Sequence, residues 1–437
     1  MKRLAILLAA IFGFSAWSAA LPTLSNAAVI GGLSQTPSTT GTGDAVVQWN
    51  RILLSIQATP GDQPATVHPT YELAIVHAAI YDAVVSIDHS AKPYLIRVKG
   101  PRKASRPAAA DAAARDTLVK LYPSLQPDID QSYAAMLAQI PAGARKSQGI
   151  RVGQTVAQKL LARRANDGSS APLVSFTPGA KAGNYQLTPP KFQSPVYTHW
   201  SKVKPFTLTR ANEFRPKAPP ALTSSAYATA LNEVKRLGVA QGSTRTADQS
   251  QIAQFWNPPI WVPWNQIAET ASLDHHSKLS QNARAFALLN LTFADSVIAF
   301  YDAKYTYDLW RPVIAIQKAG TDGNPATAPD PNWTPFVPTA PDPSYPGAHS
   351  TISTAGAVVL SSVYGNRLRF TVSSSALPGI ERSFKSFSDA AQEAGLSRIY
   401  AGVHTRVDHV AGQRLGRSVA TVVVDHFLKS RAASAHR

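Results

Sequence analysis

Cysteine is absent from all 437 residues. That removes disulfide scaffolds, thiol nucleophiles and zinc or iron–sulfur sites built on thiolates. Methionine occurs twice, at Met1 and Met136. Charge is thin as well: 16% of residues are charged, against about 25% in ordinary soluble domains. The shortage falls on acids, 26 Asp and Glu against 43 Lys and Arg, which leaves a formal net charge of +17. Such a balance favours an anionic partner: a polymer, a surface or a small oxyanion. Gly-rich phosphate loops, HExxH and GxSxG are missing, and alternation of strand type is weak throughout.

What is present begins with a leader. Lys2 and Arg3 precede an apolar run from Leu4 to Phe14, and Ser25-Asn26-Ala27 offers the small side chains of a cleavage site. Residues 1–27 are thus expected to be a secretory signal peptide, and the protein exported. No later stretch reads as the ~20 apolar residues of a spanning segment, so no membrane insertion is expected after its removal. With 44% hydrophobic residues the rest can bury a core. Apolar residues recurring three and four apart predict helices over 45–57, 71–88, 109–121, 146–165, 223–238, 246–256, 268–310, 349–364, 386–396 and 404–430. The fold class is therefore all-α, a large helical bundle, with 28–222 and 223–437 as its N-terminal and C-terminal parts and no repeat of fixed period. Residues 167–222 are dense in Pro, Gly, Ser and Thr and are predicted to wrap the bundle. Tyr185, Phe192, Tyr197, Trp200 and Phe206 would dock that wrap.

Chemistry concentrates in the last third. Lys304 and Arg311 are seven apart and followed by Pro312, which places them within about 20° of one helical face, with a break at Arg311. Pro346-Gly347-Ala348-His349 opens a helix whose free N–H groups suit an anion, and His349 suits proton transfer. Arg398 precedes His404 by six, and Asp408 follows His404 by four. On a helix beginning near Gly402 the Asp408 carboxylate can take one ring N–H of His404 and fix its tautomer. Each segment alone is also an ordinary snorkelling, capping or surface-pair arrangement. His275-His276 reads as exposed surface and His77 as a core histidine bonded to backbone, while His409 and His426 show no partner.

Together, Lys-x6-Arg-Pro, the Pro-Gly-Ala-His element and Ser-Arg-x5-His-x3-Asp resemble the signature of the vanadium-dependent haloperoxidase and type 2 phosphatidic acid phosphatase superfamily. AIVHAAIYDAVVSID, ADSVIAFYDAKYTYDLWRPVIAI and SRIYAGVHTRVDHVAGQ resemble its bacterial haloperoxidase branch. The resemblance implies vanadate (orthovanadate) held by Lys304, Arg311, Gly347, Ala348 and Arg398, with His404 as the vanadium ligand, Asp408 orienting it and His349 as acid–base. It implies hydrogen peroxide, halide and small organic acceptors as reactants, and leaves a homo-oligomer open. The alternative is a phosphomonoesterase in which His404 becomes phosphohistidine. Basic residues spread along the chain rather than forming runs, which argues against nucleic acid. Two departures stand out. The family's serine is Gly347 here and its glycine Ala348, so Ser344 or Ser350 would have to supply a hydroxyl. Asp342, seven before His349, would repel halide if ionised and turned inward. An enzyme that handles oxidant outside the cell has reason to lack thiols.

Overall fold

The computed structural model describes residues 43–429, which belong to one compact unit. The expected leader at 1–27 lies outside the described residues. Thirteen α-helices and one two-stranded hairpin occur among them, an all-α fold. Helix α1 (Ala45–Ala58) starts where the Asp44 side chain accepts from Val46 N and Val47 N. Helices α2 (Pro69–Asp88) and α3 (Arg106–Leu121) both start on a proline at their first or second position. A short α4 (Gln126–Ala138) and a long α5 (Ala144–Arg164) complete the N-terminal half. The sequence pattern missed α4 because only Ile129 on it is buried, so it carries no apolar stripe.

The C-terminal half holds α6 (Ser225–Leu237), α7 (Ala247–Phe255), α8 (Trp261–Asp274), α9 (Leu279–Tyr307) and a six-residue α10 (Pro312–Gln317). It ends with α11 (Ala348–Tyr364), α12 (Phe387–Tyr400) and α13 (Arg406–His426). The single helix expected over 268–310 is two, parted at 275–278, where His276 takes φ 47° without a glycine or proline to mark it. Strands β1 (Phe370–Ser373) and β2 (Glu381–Phe384) pair antiparallel, four residues each, too short for alternation to register.

Helix α9 is the hub, packed against α2, α11 and α13. It is buried from Asn282 to Tyr301 almost without interruption, and such all-round burial marks a central helix. Contrary to the sequence expectation, α2 and α9 are each long and apolar enough to cross a membrane, yet nearly all of each lies inside the protein. The wrapping segment docks as expected through Tyr185, Trp200 and Phe206, which are buried. Phe192 does not: it is 58% exposed at a positive φ.

Candidate active site

Lys304 sits on the last turn of α9, fully buried. The helix stops three residues later, where Asp308 adopts the left-handed conformation, so the seven-residue spacing does not set Lys304 and Arg311 on one helical face. Arg311 arrives on an extended link instead, pinned by Trp310 N donating to Gly183 O at 2.9 Å, and caps α10 in the β conformation that Pro312 demands. The two cations still converge, through the loop 341–347 rather than through periodicity. Lys304 Nζ donates to Pro343 O and to Ser344 O at 3.3 Å and forms an ion pair with Asp342 Oδ2 at 3.4 Å. Arg311 Nε donates to Asp342 O at 2.7 Å, and its Nη2 pairs with Asp342 Oδ1. Its Nη1 donates to Val403 O at 3.0 Å and lies 3.2 Å from His404 Nε2.

Arg398 is on the last turn of α12 and donates to Asn257 Oδ1 at 3.3 Å. His404 and Asp408 are not one helical face either. Helix α13 begins at Arg406, two residues after His404, and Thr405 caps it. Asp408 is the third residue of that helix, and its Oδ2 accepts from Thr405 N at 2.8 Å, Ser344 Oγ at 2.7 Å and His404 Nδ1 at 3.2 Å. The carboxylate therefore holds the His404 proton on Nδ1 and leaves the Nε2 lone pair facing Arg311. A capping box does the work expected of a helical pair.

His349 lies in the first turn of α11, and its Nε2 donates to Trp256 O at 2.9 Å, which leaves Nδ1 free. Gly347 caps the same helix and donates its N–H to Asp408 O at 3.0 Å, so that N–H is not available to an anion. Neither serine stands in for the missing hydroxyl. Ser344 is committed to Asp408, and Ser350 Oγ bonds His409 Nδ1 at 2.8 Å, which also supplies the partner that the sequence did not show for His409. His77 bonds the Asn50 side chain at 2.9 Å rather than backbone, and His275 and His276 are exposed as expected.

Burial dominates the electrostatics. It pushes the His404 imidazole down to about 3, with Arg311 adding to the effect and Asp408 opposing it. Burial, then Arg398 and His404, hold His349 well below the usual range. Lys304 falls to about 8 by burial, against the pull of Asp342, and Arg398 falls to about 9 by burial and then Arg311. Burial alone would raise Asp342 and Asp408. Lys304 and Arg311 outweigh it for the first, and the bonds from His404, Thr405 and Ser344 for the second, so both stay ionised. Asp342 is thus turned inward and charged, and its charge is paired with two cations.

A cavity of about 440 Å³ is lined by Arg311, Ala348, His349, Arg398 and His404. Lys304, Gly347 and Asp408 stand behind this wall. Its far side is aromatic: His68, Tyr197, Trp261 and Tyr301, whose rings pack on His68 at centroid distances of 4.8–6.1 Å. Sequence reasoning named Tyr197 only as a docking aromatic and assigned none of these residues, nor Asn257, to a site, because they come from α8, α9 and loops far apart in the chain. Trp261 Nε1 and Thr339 Oγ1 on this cavity are buried without a partner among the described residues. A larger groove of about 740 Å³ between α6 and α13 is lined by none of the eight candidate residues. The chemistry belongs to the smaller cavity. Two cations on the wall, Arg311 and Arg398, with Lys304 behind it, one imidazole lone pair and orphaned polar atoms around one void fit a small tetrahedral oxyanion.

Residues 284–432 match a family model described as the VCPO second helical-bundle domain. The chain is 25% identical to the vanadium chloroperoxidase of Curvularia inaequalis, over 78% of this chain and 74% of that protein. Its fold superposes on the crystal structure of the first bacterial vanadium-dependent iodoperoxidase with TM-score 0.73 at 25% identity, covering 88% of this chain and 95% of that one. It also superposes on a holo-type bacterial vanadium-dependent chloroperoxidase with TM-score 0.67 at 16% identity, over 85% and 96% of the two chains.

Proposed function

We propose that this relative of the vanadium-dependent haloperoxidases, whose second helical-bundle domain it carries, is itself an exported haloperoxidase that oxidises halide with hydrogen peroxide. The observation that carries the reading is the His404 Nε2 lone pair, held toward Arg311 in a cavity that Arg398 and His349 share. Lys304, Arg311 and Arg398 would hold vanadate by its oxygens and His404 Nε2 would ligate it. When bound, vanadate supplies activation of peroxide for oxygen transfer to halide.

The chain's own residues do the rest. Asp408 keeps the His404 proton on Nδ1, so the ligating nitrogen is never the protonated one. His349 uses Nε2–H to hold the Trp256 carbonyl and leaves Nδ1 as the atom that takes and returns a proton beside the anion. Its low basicity favours rapid return. The fixed cations are buried, where they stabilise developing negative charge more strongly than in solvent. The product would be hypohalous acid, which halogenates small organic acceptors.

Expressed with its own leader, the protein is expected outside the cytoplasm with Ala28 at its N-terminus. Loaded with orthovanadate, it should brominate a phenol dye with peroxide and bromide. His404→Ala should lose this activity while the exposed His276→Ala keeps it. No halogenation with any halide across the pH range defeats the proposal, and vanadate-inhibited hydrolysis of nitrophenyl phosphate by the vanadium-free protein would reassign the site to phosphomonoester cleavage.

A further inference from the structure

The donors of the proposed oxyanion site are already taken, and a carboxylate of this chain takes them. An ammonium has three N–H donors and a guanidinium five. Lys304 gives hydrogen bonds to Pro343 O and Ser344 O and pairs its charge with Asp342 Oδ2 at 3.4 Å. Four of the five on Arg311 are spent on Asp342 O, Asp342 Oδ1, Val403 O and His404 Nε2. Asp342 therefore engages both cations at once. Arg398, by contrast, gives a bond only to Asn257 among the described residues.

Position points the same way. Asp342 is 5% exposed and lines the cavity, whereas Lys304 is fully buried and does not reach its wall. An anion that is to touch Lys304 must come past Asp342. With His349 and His404 neutral, the three cations face two carboxylates, Asp342 and Asp408, so most of the positive charge is neutralised before a ligand arrives. Asp408 cannot yield, because Thr405 N, Ser344 Oγ and His404 Nδ1 hold its Oδ2. Among the described residues, Asp342 has only the two cations on its carboxylate. Its backbone, between Pro341 and Pro343, is fixed separately: Arg311 Nε donates to its carbonyl and its own N–H donates to Ala340 O at 3.0 Å. The side chain can rotate while the loop stays in place.

We propose that Asp342 is an internal occupant of the oxyanion site, a specificity-determining residue that an external oxyanion must displace from Lys304 and Arg311 in order to bind. The inference rests on the reading of this site as an oxyanion site. Its consequence is that the wild-type protein binds oxyanions more weakly than its three cations would allow. Like charge beside the incoming anion disfavours it, and a displaced carboxylate gives up two charge-assisted bonds.

The test is equilibrium dialysis of orthovanadate, and separately of inorganic phosphate, against wild type, Asp342→Asn and Asp342→Ala at one pH and ionic strength. Both variants should bind at least about tenfold tighter, in keeping with one pKa-scale unit of charge interaction. Equal or weaker binding by variants that melt like wild type would overturn the inference. Binding by none of the three proteins would instead defeat the oxyanion reading. Should the variants fail to fold, a crystal structure of wild type with bound oxyanion decides. Asp342 should have left Lys304 and Arg311, and an anion seated with both contacts intact refutes displacement.

Discussion

Lys304 keeps its charge where no water reaches it, and its titration is therefore tied to whatever anion sits beside it. Burial brings its ammonium down to about 8 and the Arg398 guanidinium to about 9. A bound anion raises both values, so binding is full-strength below the ligand-free values and weakens as pH rises through them. Sulfate is a clean probe because its own charge is constant in this range. Its dissociation constant, measured by calorimetry from pH 7 to pH 10, should rise steeply above about pH 8, and a flat profile would show that neither cation loses its proton there. At this scale the sequence was informative about identity and poor about geometry. Residue types and spacing named Lys304, Arg311, His349, Arg398, His404 and Asp408, and the fold brings all six to one region. Spacing could not say that Asp342 would engage two of them or that Gly347 N–H would be spent on Asp408 O, because both depend on how a proline-rich loop closes over α9.

Elements position those residues through close helix contacts that leave a mark in sequence only as small side chains. Helix α13, which carries Asp408, lies against α11, which carries His349, and Gly412 and Gly416 face that contact. A Cβ on Gly416 would overlap the Thr351 carbonyl oxygen and come within 3.2 Å of Ala355 N, backbone atoms that cannot swing aside. Gly416→Ala should therefore cost about 1–3 kcal/mol in denaturant unfolding, as overpacking generally does. It should also weaken oxyanion binding, because separating α11 from α13 separates His349 from His404. An unchanged unfolding midpoint would show that the helices are less closely fitted than these distances require. Helix ends were the least legible features. The stop at Tyr307 and the gap at 275–278 both turn on single residues in left-handed conformation, Asp308 and His276, which tertiary contacts impose and local propensity does not announce.

At the scale of the whole molecule, the C-terminal half of α9 fastens the wrapping segment with a row of polar anchors. Asp295 accepts from Phe206 N at 2.6 Å, Thr207 N at 2.7 Å, Leu208 N at 2.9 Å and Thr207 Oγ1 at 2.5 Å. Asp302 takes both arms of Arg215 at 2.6 and 2.8 Å, and Tyr305 and Tyr307 donate to the carbonyls of Val196 and Pro216. The aromatic residues of 167–222 told of docking, but the polar anchors did not show in sequence, since an isolated Asp in an apolar helix gives no hint of three backbone N–H groups arriving from about 90 residues away. This clamp matters to the site because Val196 and Tyr197, on the clamped segment, wall the cavity. Asp295→Asn keeps the volume but sets an amide N–H against donors, leaving buried N–H groups unpaired at about 1–3 kcal/mol each. Unfolding should shift by more than about 2 kcal/mol, and amide hydrogen exchange should quicken over 203–210 before the rest of the chain. Lys304, Arg311 and Arg398 bond elements other than this clamp, so the variant should still bind oxyanion while its cavity admits water more freely. Uniform exchange across the chain would mean that the wrap is held by its apolar contacts alone and that Asp295 does not fasten it.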